Sequence, residues 1–153
     1  MKHVLLMVVA ASTLGIGAAS AHDGAAHSGE NALGHSGDPA RVARTIEVST
    51  TDAMRFAPAA ITVRKGETVR FVVRNDGRLV HEMVLGTDTD LREHAAMMRE
   101  HPEMAHAESN AVRVEPGAKG QIVWTFDKAG RFTFACLVPG HFEAGMKGEV
   151  KVD

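Results

Sequence analysis

The stretch ACLVPGHFEAGM, residues 135–146, holds the chain's single cysteine, with His141 five positions after Cys136 and Met146 five positions after His141. A lone thiol makes no internal disulfide, so the segment reads as core packing, as a nucleophile or as a metal site. A soft thiolate, two imidazoles and a distant thioether are the donors of a mononuclear blue-copper type centre, in which a weak axial sulfur tunes the potential. Cys136, His141 and Met146 supply three of these four, and His81 in NDGRLVHEMVLG, with apolar residues on both sides, is the candidate for the fourth. Zinc fits less well, because a thioether is a poor zinc ligand. A Cys–His nucleophile would need a base oriented by a third group, which nothing in the sequence offers. The plainer alternatives are a buried small hydrophobe at Cys136, a core methionine at Met146 and an ordinary satisfied histidine at His81.

Four such ligands need elements that bring distant segments together. From Arg44 onward the chain shows short β-branched runs: RTIEVST, AAITVRKGETVRFVVRND, LVHEMVLG, NAVRVEPG, KGQIVWTFDKAGRFTFAC and KGEVKV. Turn pairs such as Lys65-Gly66, Asp76-Gly77, Pro116-Gly117 and Ala129-Gly130 separate them. Short strands at this spacing predict an all-β, antiparallel sandwich or barrel. Trp124 and the six phenylalanines read as its core. One segment breaks the rhythm: residues 88–110, DTDLREHAAMMREHPEMAHAESN, predict a helical insert capped by Asp88 or Asp90 and ended or kinked at Pro102. Cys136, His141 and Met146 then lie in the loop between GRFTFAC and GEVKV, which can fold three ligands around one ion.

On these residues the chain resembles the cupredoxins, small blue or green copper proteins that include plastocyanin, azurin and pseudoazurin. It is most similar to the exported cupredoxins of bacterial copper-resistance systems, the CopI type. The resemblance covers about residues 44–153 and implies a Greek-key β-sandwich, with the upstream histidine at His81 and the cysteine, downstream histidine and axial methionine at Cys136, His141 and Met146. It also implies a solvent-facing edge near Pro139 and His141 as the route for electrons. Two departures stand out. The Cys-to-His gap is longer than in plastocyanin, and the His-to-Met gap differs by one residue from azurin. Glu82 also follows the upstream histidine where plastocyanin and azurin carry an asparagine that ties the ligand loops together, which bears on colour and potential because such outer bonds tune the metal.

Further soft donors lie outside that set. His94, Met97, Met98 and His101 fall at i, i+3, i+4 and i+7 of the insert, and Met104 and His106 follow Pro102. They are candidates for additional, weakly held copper, although Leu91, Ala95 and Met98 also read as an apolar stripe. The first residues resemble a secretory signal peptide ending at ASA, residues 19–21, rather than an uncleaved anchor. Residues 22–43 have the composition of a flexible arm carrying His22, His27 and His35. After cleavage His22 would offer an amine and an imidazole to Cu(II).

The formal charge is −2 and becomes one unit more negative without Lys2, so nothing electrostatic favours nucleic acid. No second long apolar run predicts membrane insertion after cleavage. A periplasmic monomer is expected, with copper ions and a redox or copper-handling protein as partners. Binding with redox cycling for copper tolerance is the leading function, and single-electron shuttling is the alternative. The sequence has no H-x-H pairs for an oxygen-reducing cluster and no second cysteine for a dinuclear centre, so an enzyme such as a cuprous oxidase is the weakest reading.

Overall fold

Every second residue of Lys119–Phe126 from Ile122 onward is buried, as are Val69, Phe71, Val73 and Asn75 of Thr68–Asn75. This period of two puts one face of each strand against a common core. The computed structural model describes residues 30–101 and 108–153. Eleven strands among them form two sheets.

The first sheet contains β1 (Glu30–Asn31), β2 (Gly34–Ser36), β3 (Arg44–Thr51), β4 (Arg55–Ala57), β6 (Thr68–Asn75) and β9 (Lys119–Phe126). Their order is β1-β2-β9-β6-β3-β4. The second contains β5 (Ala60–Val63), β7 (His81–Gly86), β8 (Ala111–Val114), β10 (Gly130–Ala135) and β11 (Lys147–Val152), in the order β5-β11-β10-β7-β8. Trp124, Phe71, Phe126, Phe134, Met83 and Leu85 fill the space between the sheets. Phe132 and Phe142 are only half-buried, so two of the phenylalanines expected in the core sit at its margin.

The sandwich differs from the purely antiparallel expectation. β3 pairs parallel with β6 and β5 pairs parallel with β11. Period-two alternation is blind to strand direction, which is set by which sheet the chain returns to. A second correction concerns the flexible arm. Its part from residue 30 onward belongs to the domain: β2 pairs with β9, and Leu33 is fully buried. Asn31 Oδ1 accepts from Leu33 N at 2.9 Å, and Asp127 N donates to Leu33 O at 2.9 Å. One apolar side chain among Gly, Ser and His is enough when a sheet edge is available to pair with it. His35 then packs beside Asp127 rather than standing free. His22 and His27 lie outside the described residues.

The insert is a helix, α1 (Asp88–Glu100), stopping short of Pro102. Its N-cap is Thr87, not Asp88 or Asp90. Asp90 instead completes a capping box, with Thr87 Oγ1 accepting from Asp90 N and the Asp90 carboxylate accepting from Thr87 N. Leu91, Ala95 and Met98 are buried, at i, i+4 and i+7, and Leu91 and Ala95 pack against Val84 of β7 and Ala135 of β10. No helix among the described residues is long and apolar enough to cross a membrane.

Candidate metal centre

Neighbouring antiparallel strands bring the distant donors together. His81 opens β7, Cys136 follows the last residue of β10, and the register pairs Ala135 with Val84. Glu82 N therefore points at Cys136 Sγ, 3.4 Å away. The loop from β10 to β11 folds back on itself: His141 N donates to Val138 O at 2.9 Å, Met146 N to His141 O at 3.0 Å, and Cys136 N to Met146 O at 3.0 Å. Gly140 and Gly145 supply the positive φ values, 88° and 83°, that the tight turns need.

The result is one buried cluster. A ring nitrogen of His81, a ring nitrogen of His141 and Cys136 Sγ all lie within 4.8 Å of one another. Sγ and His141 Nδ1 are 3.3 Å apart, and the two imidazole centroids are 5.0 Å apart. His81 is fully buried, while His141 is 9% exposed beside the exposed Pro139 and Gly140. Met146 is fully buried in the same core cluster as Cys136.

The hydrogen bonds around the cluster dictate which atoms face an ion. His81 Nε2 lies 3.3 Å from Asp52 Oδ1, and that carboxylate also accepts from Arg78 N and Leu79 N. These backbone bonds, more than the imidazole, hold the Asp52 carboxyl below its ordinary range. A proton on Nε2 donated to Asp52 leaves Nδ1 of His81 as a lone-pair donor. That Nδ1 is buried with no hydrogen-bond partner, an arrangement that costs free energy unless something occupies the site. A carboxylate behind the imidazole is the usual way to orient a metal-ligating histidine. Burial, followed by proximity to His81, pushes the His141 pKa down, which keeps its ring neutral. The residues present fit a soft, trigonal ion.

Glu82 is tied into the same structure. Its Oε1 accepts from Leu137 N at 2.9 Å while its own N–H points at the sulfur. The link between ligand loops that asparagine makes in plastocyanin and azurin is therefore present here, made by a carboxylate. Burial pushes the Glu82 carboxyl up.

A buried cysteine sulfur and two imidazoles, with a buried methionine in the same loop, at a two-sheet β-sandwich define a copper-binding protein of the cupredoxin class. The chain belongs to the plastocyanin/azurin family of copper-binding proteins, whose family model matches residues 42–153. It is 59% identical over 134 residues to the copper-resistant cuproprotein CopI of Rubrivivax gelatinosus, covering 87% of this chain and 81% of the relative. The copper-resistant cuproprotein CopI of Pseudomonas aeruginosa is 39% identical over 163 residues, covering 88% of each. A solved structure of auracyanin B superposes with a TM-score of 0.66 at 22% identity, over 81% of this chain and 96% of that one, and supports the fold.

The remaining candidates divide. Met98 is 7% exposed in the apolar stripe of α1, so its side chain is taken up by the core rather than offered to metal. Met97 is 37% exposed, His94 half-buried and His101 exposed at the helix end. No further cluster of three His, Cys, Asp or Glu ligands occurs among the described residues. Met104 and His106 lie outside them. The helix also braces the ligand loop: Arg99 pairs with Glu143, Asp88 lies 3.9 Å from Lys147 Nζ, and Arg92 and Lys147 lie over the Phe142 ring at 5.9 and 6.0 Å. Asp52 was not legible in the sequence, since it lies 29 positions before His81 in an unremarkable turn.

Burial, opposed by the Glu82 and Val138 N–H groups, pushes the Cys136 thiol up to about 11. Near neutral pH the metal-free protein therefore carries a thiol, and a metal must displace one proton to use the sulfur. From neutral pH up to about 11, apparent copper affinity is expected to rise about tenfold per pH unit, because each bound ion displaces the thiol proton. Competition titrations at pH 7 and 8, corrected for protonation of the competing chelator, test this. Equal affinities would mean that the thiolate forms without metal.

Proposed function

We propose that this protein is exported to the periplasm and contributes to copper tolerance by holding one copper ion, cycled between Cu(II) and Cu(I), with His81, Cys136, His141 and Met146 as ligands. The observation that carries the reading is the buried, unpartnered His81 Nδ1 beside Cys136 and His141. When bound, copper supplies one-electron chemistry and the colour of a thiolate complex. The protein's residues supply a preformed cluster, a neutral His141 and a loop braced by α1. The similarity to two copper-resistant cuproproteins supports tolerance as the purpose. Binding and passing on copper, rather than substrate turnover, is the activity proposed.

The test is growth of the source bacterium, with its own copy deleted, in rising copper. Wild-type protein is expected to restore growth, and Cys136→Ala is not. Equal rescue by both would sink the reading.

A second reading, a periplasmic electron carrier, is favoured by the nearly buried His141 reaching the surface beside Pro139 and Gly140. A copper titration of the mature protein separates the two. One coloured equivalent with no growth defect on deletion favours the carrier. Additional colourless equivalents, lost when His94, Met97 and His101 are replaced, favour copper capture and give the outer face of α1 a part in it.

A further inference from the structure

Two carboxylates flank the metal cluster from different elements, and neither is a ligand. Asp52, in the β3–β4 connection, stands behind His81 at 3.3 Å from Nε2. Glu82, on β7, is hydrogen-bonded to the sulfur and to the residue after it: its N–H meets Cys136 Sγ and its Oε1 accepts from Leu137 N. The first touches an imidazole ligand, and the second meets the sulfur through its N–H and straps the residue beyond it.

The structure makes room for Asp52 and, among the described residues, leaves the Glu82 charge without a partner. A Cβ added to Gly77 would stand 2.1 Å from Asp52 Oδ1, so only glycine lets the 77–79 backbone close on that carboxylate. Arg113, opposite Glu82 in the β7–β8 register, lies 3.6 Å from Glu115 through its Nε. Among the described residues Glu82 forms no ion pair, although Arg113, His94 and Glu108 contribute to its field. The bond to Leu137 N would be made equally well by an uncharged amide. A strap alone therefore does not need a carboxylate in a place where burial disfavours charge.

We propose that Asp52 and Glu82 are positioning residues that set the oxidation-state preference of the site, favouring Cu(II) over Cu(I). A negative group near the ion stabilises the doubly charged state more than the singly charged one. Asp52 acts through the imidazole, making His81 a stronger donor, and Glu82 acts on the thiolate side. The pair suits a site that captures copper in its oxidised form more than one that presents an easily reduced ion. The inference rests on the copper ligand set proposed above.

The test uses the full mature chain with Asp52→Asn, Glu82→Gln and the double change, each keeping its hydrogen-bond acceptor. Glu82→Asn, the residue of plastocyanin and azurin, serves as a second variant at that position. Affinities for Cu(II) and Cu(I) are measured separately with competing chelators, together with the reduction potential and, in metal-free protein, thermal stability and the Leu137 amide shift. Outer-shell changes alter metal affinity by about 10–100-fold. Each single change is expected to lower the Cu(II)/Cu(I) affinity ratio about tenfold, or about 59 mV upward in potential for one electron. The metal-free protein should stay folded, with the Leu137 amide still bonded.

Equal losses for both oxidation states, or altered stability with an unchanged ratio, would make the residues merely structural and overturn the proposal. Loss of colour and copper in the parent protein would instead overturn the ligand set. A changed ratio with no growth phenotype would spare this inference and count against copper tolerance.

Discussion

Replacing Cys136 with alanine is expected to abolish the intense visible absorption of the copper-loaded protein while leaving the sandwich folded. The chain has no other sulfhydryl, so no neighbouring thiol can substitute. The backbone consequences are small: Cys136 N still donates to Met146 O, and the Glu82 and Val138 N–H groups lose their sulfur acceptor. A weak bond of that kind contributes about 1 kcal/mol. The metal consequences are large, because two imidazoles and a thioether lack the soft anion that Cu(I) and Cu(II) share. Affinity should fall by more than the roughly 10–100-fold typical of losing an outer partner. Absorption spectra, copper affinity and a circular-dichroism melt of the same sample give the answer. Colour that survives the change would mean that the sulfur is not a ligand.

Phe134→Ala is expected to destabilise the metal-free protein by about 3–5 kcal/mol, the usual cost of emptying a buried aromatic site. Phe134 is fully buried on β10, two residues before Cys136. It meets Phe56 edge-to-face at 5.1 Å and so joins the two sheets. A Cβ on Gly148 would stand 2.2 Å from the Phe134 ring and 2.6 Å from Ala59 O, so the ring fills a slot left by glycine on β11. Denaturant melts measure the loss. Saturating copper should restore part of it, since ligand at about 1,000 times its dissociation constant adds about 4 kcal/mol to the native state. A metal-free midpoint within about 1 kcal/mol of wild type would mean that the sheets close over the vacancy.

Much of this architecture was legible along the chain. The alternation in TVRFVVRN and QIVWTF announces half-buried strands because side chains on a strand alternate faces. The helix of residues 88–100 is readable from its formers and from Pro102, although Asp88 and Asp90 point to a cap later than the real one at Thr87. Asp is a good cap in general, and only the realised bonds show that Thr87 takes the position while Asp90 reciprocates. Direction was not legible, since parallel pairing of β3 with β6 and β5 with β11 leaves the same local pattern as antiparallel pairing. Neither was the entry of Leu33 into the core, because its burial depends on an edge provided by β9, some ninety residues later.

The site divides in the same way. By itself the sequence determined the donor set: one thiol, a histidine and a methionine at fixed steps in one loop, and a second histidine among apolar neighbours, because ligand chemistry is carried by side-chain type. It also determined that Glu82 stands where plastocyanin and azurin carry an asparagine. Only the tertiary structure decided how those donors are aimed. The β7–β10 register brings Glu82 N to the sulfur and Glu82 Oε1 to Leu137 N, and the 77–79 turn closes on Asp52 so that His81 must present Nδ1. It also turned Met98 into the core and left Met97 outside, one residue and about 100° of helix apart. Residue type is local information, whereas the orientation of a lone pair depends on hydrogen bonds between segments that meet only when the chain is folded.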